Sequence, residues 1–186
     1  MPGDWSVWRI TRTLFPILMV LTALELVGGL ALGSFESTLR RAPSLLVLVP
    51  VTIGTAGNLG SVLAARLSTA VHLGTVSFEP DDDALVGNAV ATFALAATVF
   101  PLVGAGAWTV AWVTGRATLS VWTVVAVALL SGVVLSVLAV VVTVLTAYGA
   151  YRFEADPDDV VIPVVTNVCD VLGVLVLFGA VKVVVV

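Results

Sequence analysis

Apolar residues form five long runs along the chain, and most charged residues lie in the short stretches between the runs. The runs cover about residues 12 to 33, 43 to 73, 85 to 109, 119 to 149 and 159 to 181. A helix needs about 20 apolar residues to cross the hydrocarbon core of a bilayer, so each run is long enough to span it. The second and fourth runs exceed that length and are expected to tilt, break or protrude.

Composition leads to the same interpretation. The 186 residues are 60% hydrophobic and 11% charged, and the mean hydropathy is +1.16, which is more apolar surface than one soluble core can bury. We therefore predict an all-α integral membrane protein with five transmembrane helices in the lipid bilayer, forming one domain over residues 1 to 186. The first run is too long for the apolar part of a signal peptide and is expected to stay in the membrane.

The rare residue types argue against several functional classes. Cys169 is the single cysteine and His72 the single histidine, so we expect no disulfide and no zinc site built from cysteines or several histidines. The one lysine, Lys182, lies near the end of the chain, so a phosphate-binding loop of the GxxxxGK[ST] type is ruled out and ATP is not expected as a ligand. The net charge of −4 argues against nucleic acid. Nothing in this pattern indicates an enzyme.

A single carboxylate, Asp170, stands inside the fifth run. If the helix begins near Asp158, Asp170 lies about 18 Å along its axis, in the middle of the membrane. A carboxylate at that depth costs about 2.5–3.5 kcal/mol on insertion scales, so it must face a partner, a cavity or an ion. Spacings of three and four residues place it on one polar helix face together with Pro163, Thr166, Asn167 and Gly173.

The second run is rich in glycine, with Gly54, Gly57 and Gly60 inside it. Each glycine costs about 1 kcal/mol relative to alanine within a helix, so we expect either a broken helix or a close approach of its backbone to a neighbour. A break would free carbonyl oxygens, which hard cations favour. An ion path and a small-residue packing face between helices are both compatible with this pattern.

Two stretches resemble the signatures of a known family. They are Pro50-x3-Gly54-x2-Gly57-Asn58-x-Gly60 in the second run, and Asp156-Pro157 followed by Pro163, Thr166 and Asp170-x2-Gly173 in the fifth. Both resemble the MgtE family of magnesium channels and their solute-carrier relatives, and the resemblance covers the whole chain. In that family the acid at the position of Asp170 lines the pore and holds Mg²⁺. Where bacterial members tend to carry Gln, this chain has Ser61 and Val62.

The polar face and the resemblance together predict the site. The expected metal ligands are Asp170, Asn58, Thr166 and Asn167. The expected pore lining comprises Gly54, Thr55, Gly57, Ser61, Pro163 and Gly173.

The function implied is divalent cation transport, with Mg²⁺ as the first candidate for both the transported and a regulatory ion. The leading hypothesis is a passive channel whose pore lies between the second and fifth helices of two subunits, either a homodimer or a heterodimer with a related half. A secondary exchanger coupled to H⁺ or Na⁺ is the second hypothesis, and a membrane assembly subunit without transport activity is the third. We expect no counterpart of the cytoplasmic N-terminal and CBS domains that bacterial members carry.

Further acids form a second group of metal candidates. Glu25, in the first run, is either a secondary ion ligand or a structural partner of Arg66 or of a backbone group. A divalent ion could also bridge two acidic loops and so couple internal Mg²⁺ to the helix of Asp170; the alternative is a solvated acidic surface. The loop residues concerned are Asp81, Asp82, Asp83, Asp156 and Asp158.

Five spans place the amino terminus and the loops 75 to 84 and 150 to 158 on one side of the membrane. Nine of the twelve acids then face that side: Asp4, Glu79, Asp81, Asp82, Asp83, Glu154, Asp156, Asp158 and Asp159. Arginines are balanced between the two sides and do not decide the orientation. The resemblance implies a plasma membrane location with the acidic side cytoplasmic and the carboxyl terminus outside. Trp5, Trp8, Arg9 and Arg12 recur at helical spacing on one face, so residues 1 to 11 are expected to lie at the membrane interface.

Overall fold

The computed structural model describes residues 7–79 and 81–185, except for the side chain of Arg9. These residues form helices joined by short turns, with no strand among them. In chain order the helices are α1 (Val7–Ser34), α2 (Glu36–Arg41), α3 (Pro43–His72), α4 (Asp83–Val113), α5 (Val121–Arg152) and α6 (Pro157–Val185). All except α2 are long and apolar enough to cross a membrane, which confirms the predicted fold class with its five spans.

The turn between α3 and α4 is defined by particular residues at both of its ends. At the start of α4, the Asp82 side chain accepts hydrogen bonds from the backbone N–H groups of Ala84 and Leu85. Gly74 follows the end of α3 with a φ of 63°, in the left-handed region that glycine adopts without steric cost. Gly74 thus ends α3 and Asp82 begins α4, so the chain reverses direction within a short turn.

Helices α3, α5 and α6 form the centre of the bundle, and α4 packs against α3 and α5. Its apolar core has two parts, one around Leu48, Val124 and Leu177 and the other around Phe100 and Val165. Helix α1 is peripheral, since it packs mainly against α6. Only 11% of its spanning window is buried, against 44% for α5, so most of α1 is open to lipid or to another chain.

Helix α3 is continuous from Pro43 to His72, so of the two expectations for the glycine-rich run, the break does not occur and the close approach does. Gly57 and Gly60 are both buried. They face α6, where an added Cβ would lie within 3 Å of α6 side-chain atoms. Packing against α6 thus offsets the low helix propensity of glycine, and no backbone carbonyl is freed by a break.

The predicted interfacial segment lies partly outside the described residues. From Val7 onward the chain belongs to α1 without interruption, and the Arg12 guanidinium lies 5.0 Å from the Trp8 ring centroid on one helix face. Trp5 is not among the described residues. An interfacial position for residues 1 to 11 stays a prediction.

Candidate metal site between α1, α3 and α6

Asp170 occupies the middle of α6, which runs from Pro157 to Val185. At 1.5 Å per residue the carboxylate lies about 20 Å from the start of the helix. Residues 171–178 on one side of it are apolar, and on the other side Thr166 and Asn167 are the polar residues between Val160 and Asp170. The acid is therefore as deep as any position in this helix.

Its carboxylate rests directly on the backbone of α3 at Gly57. A Cβ built at Gly57 would lie 2.6 Å from Asp170 Oδ1 and 3.5 Å from Thr166 Cγ2. Real Cβ atoms do not come that close to an oxygen, so only glycine fits at this position while the carboxylate keeps its place. Gly57 thus has a role beyond helix packing, because it makes room for the acid.

The neighbouring contacts show how α3 and α6 are paired. A Cβ at Gly60 would lie 2.8 Å from Val165 Cγ1, and one at Gly173 would lie 3.2 Å from Ile53 Cγ1. The two helices run antiparallel, with the glycine-rich part of α3 against the middle of α6. This pairing occurs within one chain. The expectation that the two segments face each other across a pore concerns two chains and stays a prediction.

The other polar residues of the α6 face direct their donors at their own helix. The Thr166 hydroxyl donates to the Ile162 carbonyl at 2.9 Å, and the Asn167 amide donates to the Pro163 carbonyl at 2.9 Å. A threonine hydroxyl and an asparagine amide keep an oxygen with free lone pairs when their N–H or O–H is used in this way. Oxygen acceptors of this kind are the ligands that Mg²⁺ and Ca²⁺ take.

Asp170 also opens onto a cavity of about 190 Å³ between α1 and α6. Glu25 of α1 and Ile53 of α3 line the same cavity. Helix α1 comes close here because Gly28 packs on Val171, where an added Cβ would lie 3.3 Å from Val171 Cγ2. The structure thus brings two carboxylates to one open cavity at membrane depth.

The suggested pairing of Glu25 with Arg66 is wrong. Arg66 lies on the other side of α3, where its Nε donates to Asn88 Oδ1 of α4 at 2.5 Å. Glu25 is in the cavity with Asp170 instead. Sequence spacing alone cannot say which face of α3 meets α1 and which meets α4.

The remaining predicted residues of α3 are not gathered around Asp170 within the chain. Asn58 is exposed, and nothing lies within 4 Å of a Cβ built at Gly54. Thr55 and Ser61 are half-buried, and the Ser61 hydroxyl donates to the Asn58 carbonyl at 3.0 Å. Gly54 and Asn58 therefore lie on an open face of α3, whereas Thr55 and Ser61 are partly covered.

A second cluster of potential metal ligands lies where the end of α3 meets the start of α6. Metal-ligating atoms of His72, Asp156 and Asp158 lie within 4.8 Å of one another. His72 Nε2 is 3.7 Å from Asp156 Oδ1, and the Ser68 hydroxyl donates to Asp158 Oδ1 at 2.5 Å. His72 was missed by sequence reasoning, because only the antiparallel pairing of α3 with α6 brings it to the two acids.

Asp82 serves the fold of the acidic loop. Its Oδ2 accepts from the backbone N–H of Ser77 at 2.6 Å and from the Ser77 hydroxyl at 2.8 Å, while Oδ1 caps α4. These bonds, led by that from the Ser77 backbone, lower the pKa of Asp82 to about 2. Both oxygens are already occupied, so metal binding by Asp82 would require breaking the cap. Asp81 and Asp83 are exposed.

Comparison with known proteins bears on the same residues. A profile of the MgtE family, described as a divalent cation transporter, matches residues 49–180. Solute carrier family 41 member 3 of Rattus norvegicus is 26% identical over 158 residues, which is 82% of this chain and 34% of that protein. The Mus musculus protein of the same name is 26% identical over 156 residues, or 81% of this chain and 32% of that protein. The chain spans about a third of the length of these curated relatives. No solved structure matches.

The profile match begins just before Pro50 and ends beyond Gly173, so it includes both stretches on which the resemblance rests. A family of transporters confirms the expectation that the chain is not an enzyme. The match covers most of the chain. It includes all of α4 and α5 and the greater part of α3 and α6. The chain belongs to the MgtE family of divalent cation transporters.

Proposed function

We propose that this chain forms a passive channel for a divalent cation, Mg²⁺ first, with a pore between α3 and α6 of two subunits. The observation that carries the proposal is the setting of Asp170. Its carboxylate rests on Gly57 in the middle of the span and opens onto a cavity shared with Glu25. Among the side chains described, no arginine, lysine or histidine lies within 4 Å of it. A carboxylate at this depth without a basic partner is stabilised by a bound cation.

The donor set suits a hard cation. Mg²⁺ demands near-octahedral oxygen coordination and gives up its waters reluctantly, so one or two carboxylates with several retained waters are enough to hold it. Asp170 supplies the charge, and Thr166 and Asn167 present oxygens on the same face of α6. One Asp170 from each of two subunits would give a pair of carboxylates, which matches the charge of the ion.

A second subunit is part of the proposal because the chain leaves its candidate residues uncovered. Asn58 and Gly54 lie on an open face of α3, next to the helix side that holds Asp170. A second copy, or a related half, placed against this face would enclose the ion between four helices. The metal ligands would then be Asp170, Asn58, Thr166 and Asn167, and the pore lining Gly54, Thr55, Gly57, Ser61, Pro163 and Gly173.

Transport in this form needs no chemical fuel. A doubly charged ion that crosses a membrane potential of 100 mV gains about 4.6 kcal/mol. The proposed orientation, with the acidic loops in the cytoplasm and the protein in the plasma membrane, makes this an inward flux of Mg²⁺. Labelling of single cysteines at Glu79 and Thr118, in a Cys169→Ala background, tests the orientation in intact cells.

The shared cavity of Asp170 and Glu25 also favours one competing function, exchange of a divalent cation against H⁺ or Na⁺. Neighbouring intramembrane carboxylates occur in proton relays. An exchanger responds to an opposing pH or Na⁺ gradient when the voltage is clamped, whereas a channel follows voltage and the Mg²⁺ gradient alone. A subunit with only an assembly role gives no flux in either condition.

The test uses liposomes that contain only this protein, with Mg²⁺ entry driven by a potassium diffusion potential. Asp170→Asn keeps the size of the side chain and removes its charge, so Mg²⁺ entry should fall at least tenfold. Glu79→Gln, an equal change in an exposed loop, is the matched control and should leave entry unchanged. Equal entry for wild type and Asp170→Asn would refute the channel assignment.

A further inference from the structure

Two adjoining cavities lie between α3 and α4. The first, of about 330 Å³, is the more polar of the two, since Arg66, Thr69, Thr75 and Asn88 line it together with Ala70 and Leu73. The second, of about 170 Å³, is mostly apolar and includes Leu59, Val62, Leu63 and Leu95. Arg66 and Asn88 line both, so the two cavities adjoin at these residues and are together called the α3–α4 groove.

The two ends of the groove lie at different membrane depths. Helix α3 has 30 residues and is about 45 Å long, about 15 Å longer than the hydrocarbon core. Arg66 is six residues before the last residue of α3, about 9 Å from the helix end, which places it at the edge of the hydrocarbon. Leu59 is about 10 Å deeper. The polar end therefore lies at headgroup level, and the apolar end points toward the centre of the bilayer.

Arg66 is held in place but keeps most of its donors. Its Nε donates to Asn88 Oδ1, and the Asn88 amide donates in turn to the Ala84 carbonyl at 2.7 Å, which fixes the orientation of the guanidinium. No carboxylate lies within 4 Å of Arg66 in the part of the chain that the structure describes. The terminal guanidinium nitrogens are therefore available to an anion, and their fork matches two oxygens of a phosphate.

The other polar groups of this end do not compete for that role. The hydroxyls of Thr69 and Thr75 donate to the backbone carbonyls of Ala65 and Ala70. The nearby loop carries Glu79, Asp81 and Asp83, so the general field on this side repels anions. This repulsion is weaker for an anion with one negative charge that lies close to the guanidinium than for a headgroup with several negative charges.

We propose that the α3–α4 groove binds one glycerophospholipid. The phosphodiester contacts the terminal nitrogens of Arg66, and an acyl chain lies along Leu59, Val62 and Leu95. The lipid would contact both helices and stabilise the packing of α4 against α3, on the face of α3 opposite the ion site. Arg66 and Gly57 are nine residues apart, or two and a half helical turns, so they lie on opposite faces of α3. The site is therefore separate from the cavity of Asp170.

The experiment measures binding of dioleoyl phosphatidylglycerol to the full chain, delipidated in detergent, by native mass spectrometry. Arg66→Gln removes a charge-assisted contact and should weaken lipid binding about tenfold. Arg152→Gln is the matched control, since Arg152 is exposed on the same side of the membrane. Glycerol phosphate without acyl chains should bind far more weakly than the lipid if both ends of the groove are used.

A second pair of variants tests the apolar end. Leu95→Trp fills the groove and should weaken lipid binding about tenfold, whereas Leu102→Trp on the same helix, where the side chain is 71% exposed, should not. Unchanged lipid affinity in both Arg66→Gln and Leu95→Trp would overturn the proposal. The same spectra report the oligomeric state. Loss of a dimer in Arg66→Gln with unchanged lipid affinity would assign the groove to a second copy of the chain and likewise overturn it.

Discussion

The contact between Gly57 and Asp170 predicts that a single methyl group at Gly57 disturbs the ion site more than the fold. In Gly57→Ala the new Cβ would lie 2.6 Å from Asp170 Oδ1. Ordinary van der Waals contact of a Cβ begins at 3.4 Å, so the oxygen must move by about 0.8 Å. The carboxylate is the end of a side chain and can rotate away, whereas the two helix backbones need not separate.

Gly57→Ala should change the unfolding free energy and the ion affinity by different mechanisms. Alanine within a helix is favoured over glycine by about 1 kcal/mol, which offsets part of the strain of overpacking, about 1–3 kcal/mol. The net change in unfolding free energy of Gly57→Ala should therefore stay within about 2 kcal/mol. A displaced carboxylate that loses about 1.4 kcal/mol of interaction with the ion lowers its affinity about tenfold.

Two other glycines serve as comparisons. In Gly60→Ala the new Cβ would lie 2.8 Å from Val165 Cγ1 and 3.1 Å from Cys169 Sγ, so the same helix pair is overpacked without direct contact with the acid. In Gly106→Ala nothing lies within 4 Å of the new Cβ, and stability should be unchanged or rise slightly. Mg²⁺ entry into liposomes and thermal unfolding are measured on the same preparations.

The three glycine variants are expected to differ in Mg²⁺ transport. Gly106→Ala should transport Mg²⁺ like the wild type, and the tenfold lower affinity of Gly57→Ala should reduce its Mg²⁺ entry about fivefold at half-saturating Mg²⁺. Gly60→Ala should lose stability and keep a larger part of its transport than Gly57→Ala. Equal transport in Gly57→Ala and Gly106→Ala would refute the inference that Gly57 positions an ion ligand. Equal losses in Gly57→Ala and Gly60→Ala would attribute the effect to helix packing instead.

Three further predictions concern other parts of the chain. Asn58→Leu should leave the unfolding temperature of the detergent-solubilised chain unchanged, because the side chain is exposed, but should reduce Mg²⁺ entry; full entry would exclude Asn58 from the pore. Mg²⁺ at 100 times its dissociation constant should raise the unfolding free energy by about 2.7 kcal/mol. Asp170→Ala should abolish this increase; an increase that persists would place the main ion site elsewhere. Asp82 has a pKa lowered to about 2, so its stabilising bonds are fully present above pH 4 and are lost as the pH falls through 2. The melting temperature of Asp82→Ala should accordingly lie below that of the wild type at neutral pH and approach it as the pH falls from 4 to 2; a constant difference would contradict this.

The spans and the depth of the central acid could be read from the sequence because both depend on local properties. Helix length follows from the number of consecutive apolar residues, and the depth of Asp170 follows from a rise of 1.5 Å per residue. The grouping of Pro163, Thr166, Asn167, Asp170 and Gly173 on one face likewise needs only the helical period. The glycines of α3 indicated a close approach, although a broken helix was equally compatible with them.

The partners of these faces were decided by tertiary packing. Helices that are apolar on nearly all sides carry little information about which side meets which neighbour. For this reason the sequence allowed Glu25 to pair with Arg66, whereas the fold places Glu25 beside Asp170 and Arg66 against Asn88. His72 meets Asp156 and Asp158 because α3 ends where α6 begins, some 85 residues later in the chain. The number, length and depth of the helices were thus set by the apolar runs, while the neighbours of each charged side chain arose from the antiparallel contact of α3 with α6.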